Sequence, residues 1–261
     1  MTPDQYLQQI LTREAVDVGP YSPVRGCQSI LMPMLQLWAN RFLLNVTPSG
    51  SFAKGTANLS GTDIDLFISL HPDTPETLKQ IYNSLATRLR EVGYQPRLQN
   101  VSVGIQVGAY RVDLVPGKIQ NALMQDHSLY RRKADTWTKT NIGTHIAKVR
   151  ASGRQSEIRV IKLWRDQNGL EFPSLYLELT VIAALKNIQS NAAAVLLGSS
   201  ISGNVWKVFG YLASSFETTR VVDPSNTNNI LSDDITAKDR TAIKSAATLA
   251  LAKRTWGEIV I

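Results

Sequence analysis

The 261-residue chain contains one cysteine, Cys27, and three histidines, His71, His127 and His145. A single thiol closes no disulfide within the chain and builds no thiolate metal cluster. Three scattered imidazoles make a poor zinc set. No apolar run is long enough to cross a bilayer, and the N-terminal MTPDQYLQQI has neither a basic leader nor an apolar core. These absences predict a cytoplasmic protein with no membrane partner. Cys27 is read as a small buried apolar residue, and His145, alone in a polar stretch, as structural. No internal repeat or low-complexity tail is visible.

What is present describes an ordinary globule, 43% hydrophobic and 19% charged. The length suits one large domain or two lobes. The net charge of +7 is concentrated. Residues 131–165 carry ten Lys and Arg against Asp135 and Glu157, a local +8, and the remainder of the chain is near neutral. A solvated face is one explanation. Handling of phosphate, in a nucleotide or in RNA, explains better why the excess is confined to one stretch.

Ile30, Leu31, Met34, Leu35, Trp38 and Phe42 recur at helical spacing and predict a helix over 25–44, kinked or restarted at Pro33. A second helix is predicted with Thr74 as cap, Pro75 in its first turn and Gly93 at its end. Residues 98–107 alternate, with Val101, Val103, Ile105 and Val107 on one face and Ser102, Gly104 and Gln106 on the other. Gly108-Ala109 is a two-residue turn, and the return strand Tyr110 to Val115 ends at Pro116-Gly117. Beyond residue 155 the pattern is helical. A helix over 156–168 presents Arg159, Lys162 and Asp166 on a polar strip. The stretch 174–188 is apolar almost all round, so Glu178 within it needs a partner. A flexible connection over 198–204, a helix over 205–216 and a turn-rich loop over 223–229 follow. Thr236 with Asp239 reads as a capping box for a last helix.

The chain is organised around Gly50 to Leu70, GSFAKGTANLSGTDIDLFISL. Ile64 to Ile68 suits a strand, so Asp63 and Asp65 share one face and Ile64, Leu66 and Ile68 the other. Two carboxylates side by side at a strand mouth repel, and a divalent cation relieves them. The return strand supplies a third, Asp113, in phase with Arg111 and opposite Val112 and Leu114. A hairpin beside the first strand brings Asp113 to the pair, the carboxylate set that two-metal phosphoryl transfer requires.

Gly50-Ser51, Asp63-Ile64-Asp65 and Asp113 together resemble the DNA polymerase β-like nucleotidyltransferase superfamily. The string GSFAKGT…TDIDLFISL is most similar to its branch of archaeal-type CCA-adding enzymes, oligoadenylate synthetases and bacterial cGAS/DncV-like nucleotidyltransferases (CD-NTases). Arg159-Val160-Ile161-Lys162, Ser174-Leu175-Tyr176-Leu177-Glu178-Leu179 and the Asp223-Pro224…Asn228-Asn229 loop extend the likeness over residues 25–230; the second proline common in that loop is absent. The resemblance implies an α+β fold in two parts. Residues 1–140 would be a catalytic lobe with a mixed sheet and flanking helices, and residues 141–261 a helical nucleotide-binding lobe, with the active site in the cleft between. It implies Mg²⁺ or Mn²⁺ held by Asp63, Asp65 and Asp113, with Asp113 also a candidate to take the acceptor's proton. Gly50, Ser51 and Lys162 would bind the triphosphate of an NTP. Ser174 and Tyr176 would reach the triphosphate or stack near the base.

Two enzymatic functions follow from the resemblance. The first joins NTPs into a cyclic or linear oligonucleotide messenger, with antiviral defence as its setting. The second extends the 3′ end of tRNA or another RNA; residues 131–165 would hold RNA as that acceptor, or as an activator of the first. The 83 residues after Glu178 suffice for a helical lobe and leave no room for added RNA-holding domains, which favours the first. A third reading, a nucleotide- or RNA-binding module with a decayed site, is disfavoured by the presence of all three carboxylates and the Gly-Ser pair.

Overall fold

The computed structural model describes residues 1–61, 63–121, 123–186 and 200–261. They form two compact units, residues 17–54 with 62–146, and residues 1–16 with 55–61 and 147–261. Helix α1 (Pro3–Arg13) and residues 55–61 thus group with the C-terminal helices.

The first unit is a seven-stranded mixed sheet with helices. Helix α2 (Pro23–Ala39) runs through Pro33 as a single helix. It stops at Ala39, and residues 43 and 44, expected in the helix, already belong to strand β1 (Leu43–Pro48). The one-turn α3 (Gly50–Lys54), β2 (Ile64–Leu70) and α4 (Leu78–Glu91) follow. The cap of α4 is Thr77 rather than Thr74. Its hydroxyl accepts from the Gln80 N–H while the Gln80 side chain accepts from the Thr77 N–H. The Thr74 hydroxyl instead donates to the His71 carbonyl at 2.6 Å. Strands β3 (Arg97–Leu98), β4 (Val103–Val107) and β5 (Tyr110–Asn121) complete the central sheet, in the order β1-β2-β5-β4-β3. The turn at Gly108-Ala109 forms as expected, since Val107 pairs with Tyr110.

Strand β5 does not end at Pro116-Gly117. Its partner β4 leaves after Leu114, and β6 (Asp126–Arg131) joins only at Lys118, so the proline falls where that edge has no neighbour. Strand β6 continues into β7 (Thr136–Thr140), a hairpin the sequence reading did not resolve, and then into α5 (Ile142–Ala151). The even-numbered residues Ile64, Leu66, Ile68 and Leu70, with Val112 and Leu114, are buried. Strands β2 and β5 are parallel neighbours, Asp65 directly opposite Asp113; the other pairings are antiparallel.

The second unit is helical: α1, α6 (Gln155–Gln167), α7 (Ser174–Ala184), α8 (Ile201–Ser214) and α9 (Ala237–Leu251). Its core joins Leu7, Ile158, Trp164, Tyr176, Phe209 and Ile243. The predicted capping box forms, with the Thr236 and Asp239 side chains each accepting from the other's backbone N–H. Ser200 caps α8 and 201–204 form its first turn, so these residues are not the flexible connection expected; residues 198–199, and 187–188 at the end of the predicted 174–188 helix, lie outside the described residues. The expected loop over 223–229 is the hairpin of β8 (Val222–Asp223) and β9 (Asn226–Ile230). The buried Asp223 carboxylate closes it by accepting from the Ser225 N–H and hydroxyl, both at 2.8 Å, and from Asn229 at 3.2 Å.

Candidate active site

Strand phase puts Asp65 on the face of β2 opposite Ile64, Leu66 and Ile68, and the parallel register sets it against Asp113. Asp63 is exposed one residue before the strand, and its charge acts on Asp113. Burial and the Asp63 charge both push the Asp113 carboxyl above the usual range; Arg97, Gln99 and Ser102 oppose them. Asp113 is held by Gln99, whose Nε2 donates to Oδ1 at 2.8 Å, and by the Ser102 hydroxyl at 3.5 Å from Oδ2.

Two glycines make room for these carboxylates. Gly50 has φ +54°, and a Cβ there would stand 1.7 Å from Asp65 Oδ2. A Cβ on Gly104 would stand 2.8 Å from Asp113 Oδ1, 2.9 Å from Gln99 Nε2 and 3.2 Å from Arg97 Nη2. Gln99 and Gly104 were not among the expected site residues. The signal for Gly104 was available: a two-residue turn at 108–109 fixes the register that puts Gly104 opposite Asp113. Gln99 sits in the turn between β3 and β4, where no periodicity points at a partner.

The donor set of three carboxylates fits a hard divalent cation, and the space beside Gly50 and Gly104 is shaped around two of them. Among the described residues, however, no group of three or more His, Cys, Asp or Glu is assembled to hold a metal. Asp113 is turned onto Gln99 and Ser102 instead.

The residues expected to bind triphosphate divide. Gly50 and Ser51 open α3, and the Ser49 N–H just before them donates to the Asp65 carbonyl at 2.8 Å, which ties this turn to β2. Lys162 does not lie on an exposed polar strip. It is 4% exposed, and its ammonium donates to Glu178 Oε1 at 2.6 Å and Thr56 Oγ1 at 3.0 Å. Glu178 is 0% exposed and also accepts from the Thr56 hydroxyl at 2.8 Å. A carboxylate inside an apolar helix needs a cation, and the packing of α6 on α7 supplies Lys162. Arg159 is likewise engaged inside its unit, with Asn58 and the Leu11 carbonyl.

Tyr176 is a core residue, stacked on Phe216 and edge-on to Phe172. Among the described residues its buried hydroxyl has no hydrogen-bond partner, and burial pushes its pKa up to about 12. The structure places it in the core of its unit, 0% exposed. Ser174 is exposed at the start of α7, where its hydroxyl accepts from Arg165 at 3.1 Å.

The basic residues of 131–165 fall on several elements. Arg131 and Lys139 lie on the β6–β7 hairpin, and Lys148 and Arg150 on α5. Lys162 and Arg154 are buried against Glu178 and Glu157. The charges of this stretch are thus divided between the two compact units, and two of them are engaged by buried carboxylates.

A mixed sheet that carries aspartates on paired parallel strands, with a separate helical unit, is the fold of the polymerase β-like nucleotidyltransferases. No protein-family model matches the chain. Among curated proteins it is similar to a cyclic AMP-AMP-AMP synthase of Escherichia coli (strain MS 115-1), 27% identical over 164 residues that cover 56% of this chain and 51% of the relative. The chain thus spans about half the length of the curated relative it matches. Among solved structures, E. coli MS115-1 CdnC with ATP is similar at TM-score 0.76 and 22% identity, over 96% of this chain and 91% of that one. The Cid1 poly(U) polymerase bound to MgATP is similar at TM-score 0.68 and 13% identity, over 97% of this chain and 95% of that one. The described residues contain no helix long and apolar enough to cross a membrane.

Proposed function

We propose that the chain is a nucleotidyltransferase that joins NTPs into a cyclic or linear oligonucleotide and releases pyrophosphate. The observation that carries this reading is the cross-strand pair Asp65 and Asp113, with Asp63 beside them and Gly50 making room under Asp65. The similarity to a cyclic AMP-AMP-AMP synthase supports nucleotides as acceptors.

In this reading Asp63, Asp65 and Asp113 hold divalent ions such as Mg²⁺, which when bound would neutralise phosphate charge and lower the proton affinity of the acceptor hydroxyl. Gly50 and Ser51 present a tight turn beside Asp65 to the triphosphate. Gln99 and Ser102 orient Asp113. Held by Gln99 and Ser102, Asp113 is the candidate to accept the acceptor's proton. Ser174 remains a candidate phosphate contact. Lys162, with its charge engaged by Glu178, is assigned to holding residues 55–61 to α6 and α7.

A second reading, extension of an RNA 3′ end, is favoured by the likeness to Cid1. One experiment separates them. Purified protein is given Mg²⁺ and labelled NTPs, with and without RNA, and the products are digested with nuclease and phosphatase. Small phosphatase-resistant products support messenger synthesis; label on RNA supports terminal transfer. No pyrophosphate from any mixture, or unchanged release from Asp65→Ala, rejects the transferase reading.

A further inference from the structure

The face of the sheet that bears the aspartates continues past them. On β2 it runs from Asp65 through Phe67 to Ser69, and on β5 from Asp113 through Gly117 to Ile119, because alternate residues share a face. His127 on β6 pairs with Ile119 and so stands on that same face, and Thr47 on β1 pairs with Phe67. Of these residues Thr47, Phe67, Ser69, Ile119 and His127 line a cavity of about 360 Å³, together with Ile142 and Gly143 at the start of α5. Its walls are mainly apolar, with a few convergent polar groups, the composition of a small-molecule site.

The polar groups are fixed in role. His127 is 3% exposed. Its Nδ1 lies 2.9 Å from the Gln125 carbonyl, so Nδ1 carries the proton and donates. Its Nε2, 2.7 Å from Ser69 Oγ, therefore presents a lone pair and accepts the Ser69 proton. Burial holds the imidazole below its ordinary pKa, which keeps this arrangement at neutral pH. With its proton given to His127, Ser69 Oγ has only acceptor capacity left for a ligand in the cavity.

The position along the strand supplies a ruler. Phe67 and Ser69 are two and four residues beyond Asp65, about 7 and 13 Å at about 3.3 Å per residue. That interval matches a nucleoside laid along the sheet, its ribose toward the carboxylates and its base toward Ser69. The cavity is large enough for a base, and Phe67 offers it an aromatic wall. Resting on the nucleotidyl-transfer reading, we propose that this cavity seats the base of the acceptor nucleotide, with Ser69 Oγ accepting a hydrogen bond from a base N–H and His127 Nε2 holding Ser69 in that role.

The test uses adenosine, which lacks phosphates, as a binding probe in NMR titrations of the full chain, together with steady-state pyrophosphate release. Ser69→Ala removes the acceptor and Thr47→Phe fills the cavity; melting curves establish that each is folded. The expected result is about a tenfold weaker adenosine affinity in Ser69→Ala, the effect of one lost hydrogen bond. Binding is lost in Thr47→Phe, and acceptor KM rises in both variants. Unchanged adenosine affinity and unchanged KM in folded variants of an active enzyme overturn the cavity assignment and leave the transferase reading standing. If the wild type releases no pyrophosphate, the transferase reading fails. Adenosine binding that Thr47→Phe abolishes then still supports the cavity as a base site, and binding that it leaves intact overturns it.

Discussion

Gly50→Ala and Gly108→Ala form a matched pair. Both glycines sit in the left-handed region, at φ +54° and +56°. A Cβ at Gly108 meets nothing within 4 Å, whereas a Cβ at Gly50 would overlap the Asp65 carboxylate at 1.7 Å. Gly108→Ala therefore measures backbone strain alone, about 1–2 kcal/mol for an L-residue in that region. For a protein of this size each kcal/mol lowers Tm by roughly 2–4 °C, so a loss of about 2–8 °C is expected. Gly50→Ala carries the same strain and must also expel Asp65. Real Cβ contacts essentially never fall below 3.0 Å, so the carboxylate has to move by more than an ångström. A displacement of about 1 Å at a reacting centre costs on the order of 100-fold. Pyrophosphate release per folded molecule should fall at least about 100-fold in Gly50→Ala and stay within twofold of wild type in Gly108→Ala. Equal activities in the two variants, both folded by near-UV circular dichroism, would refute the claim that Gly50 is there to seat Asp65.

Lys162→Met leaves Glu178 buried without its cation and should cost about 3–5 kcal/mol in urea unfolding; adding Glu178→Leu should restore most of the loss. A raised KM for NTP with unchanged stability would instead restore Lys162 to a phosphate-binding role. Tyr176→Phe removes a buried hydroxyl that has no partner among the described residues, so stability should hold or rise, with KM unaltered, in contrast to the loss of about 1 kcal/mol typical of a bonded hydroxyl. Asp113 binds its proton more tightly in the folded state, so between its ordinary value and the raised one the folded chain keeps a proton that the unfolded chain has lost. Stability therefore falls as pH rises through that window. Asp113→Asn should raise Tm at pH 7 in the presence of a chelator, flatten that part of the pH profile, and abolish pyrophosphate release.

The sequence by itself determined what consecutive residues can encode. Alternation put Asp63 and Asp65 on one face of a strand and Asp113 in the matching phase of another. A threonine three residues before Asp239 fixed the start of α9, and a two-residue turn fixed the β4–β5 register. Signals of this kind fail where a competing residue lies nearby, as when Thr77 rather than Thr74 caps α4, or where a strand end depends on its neighbours. Pro116 looked like a terminator, yet β5 continues because β4 has left and β6 has not begun. Lys162 shows the larger gap. A lysine at helical spacing from Arg159 and Asp166 reads as surface, and only the packing of α6 on α7 turns it toward Glu178. Tyr176 was drawn into the site by its neighbours in sequence and into the core by Phe172 and Phe216. Of the charges over 131–165, only the structure showed that Arg154 and Lys162 are buried against Glu157 and Glu178. Tertiary structure alone decided that β2 and β5 lie parallel with Asp65 opposite Asp113. Strand phase is a local property, but which strands become neighbours depends on the burial of whole faces, and that is settled by the chain as a folded unit.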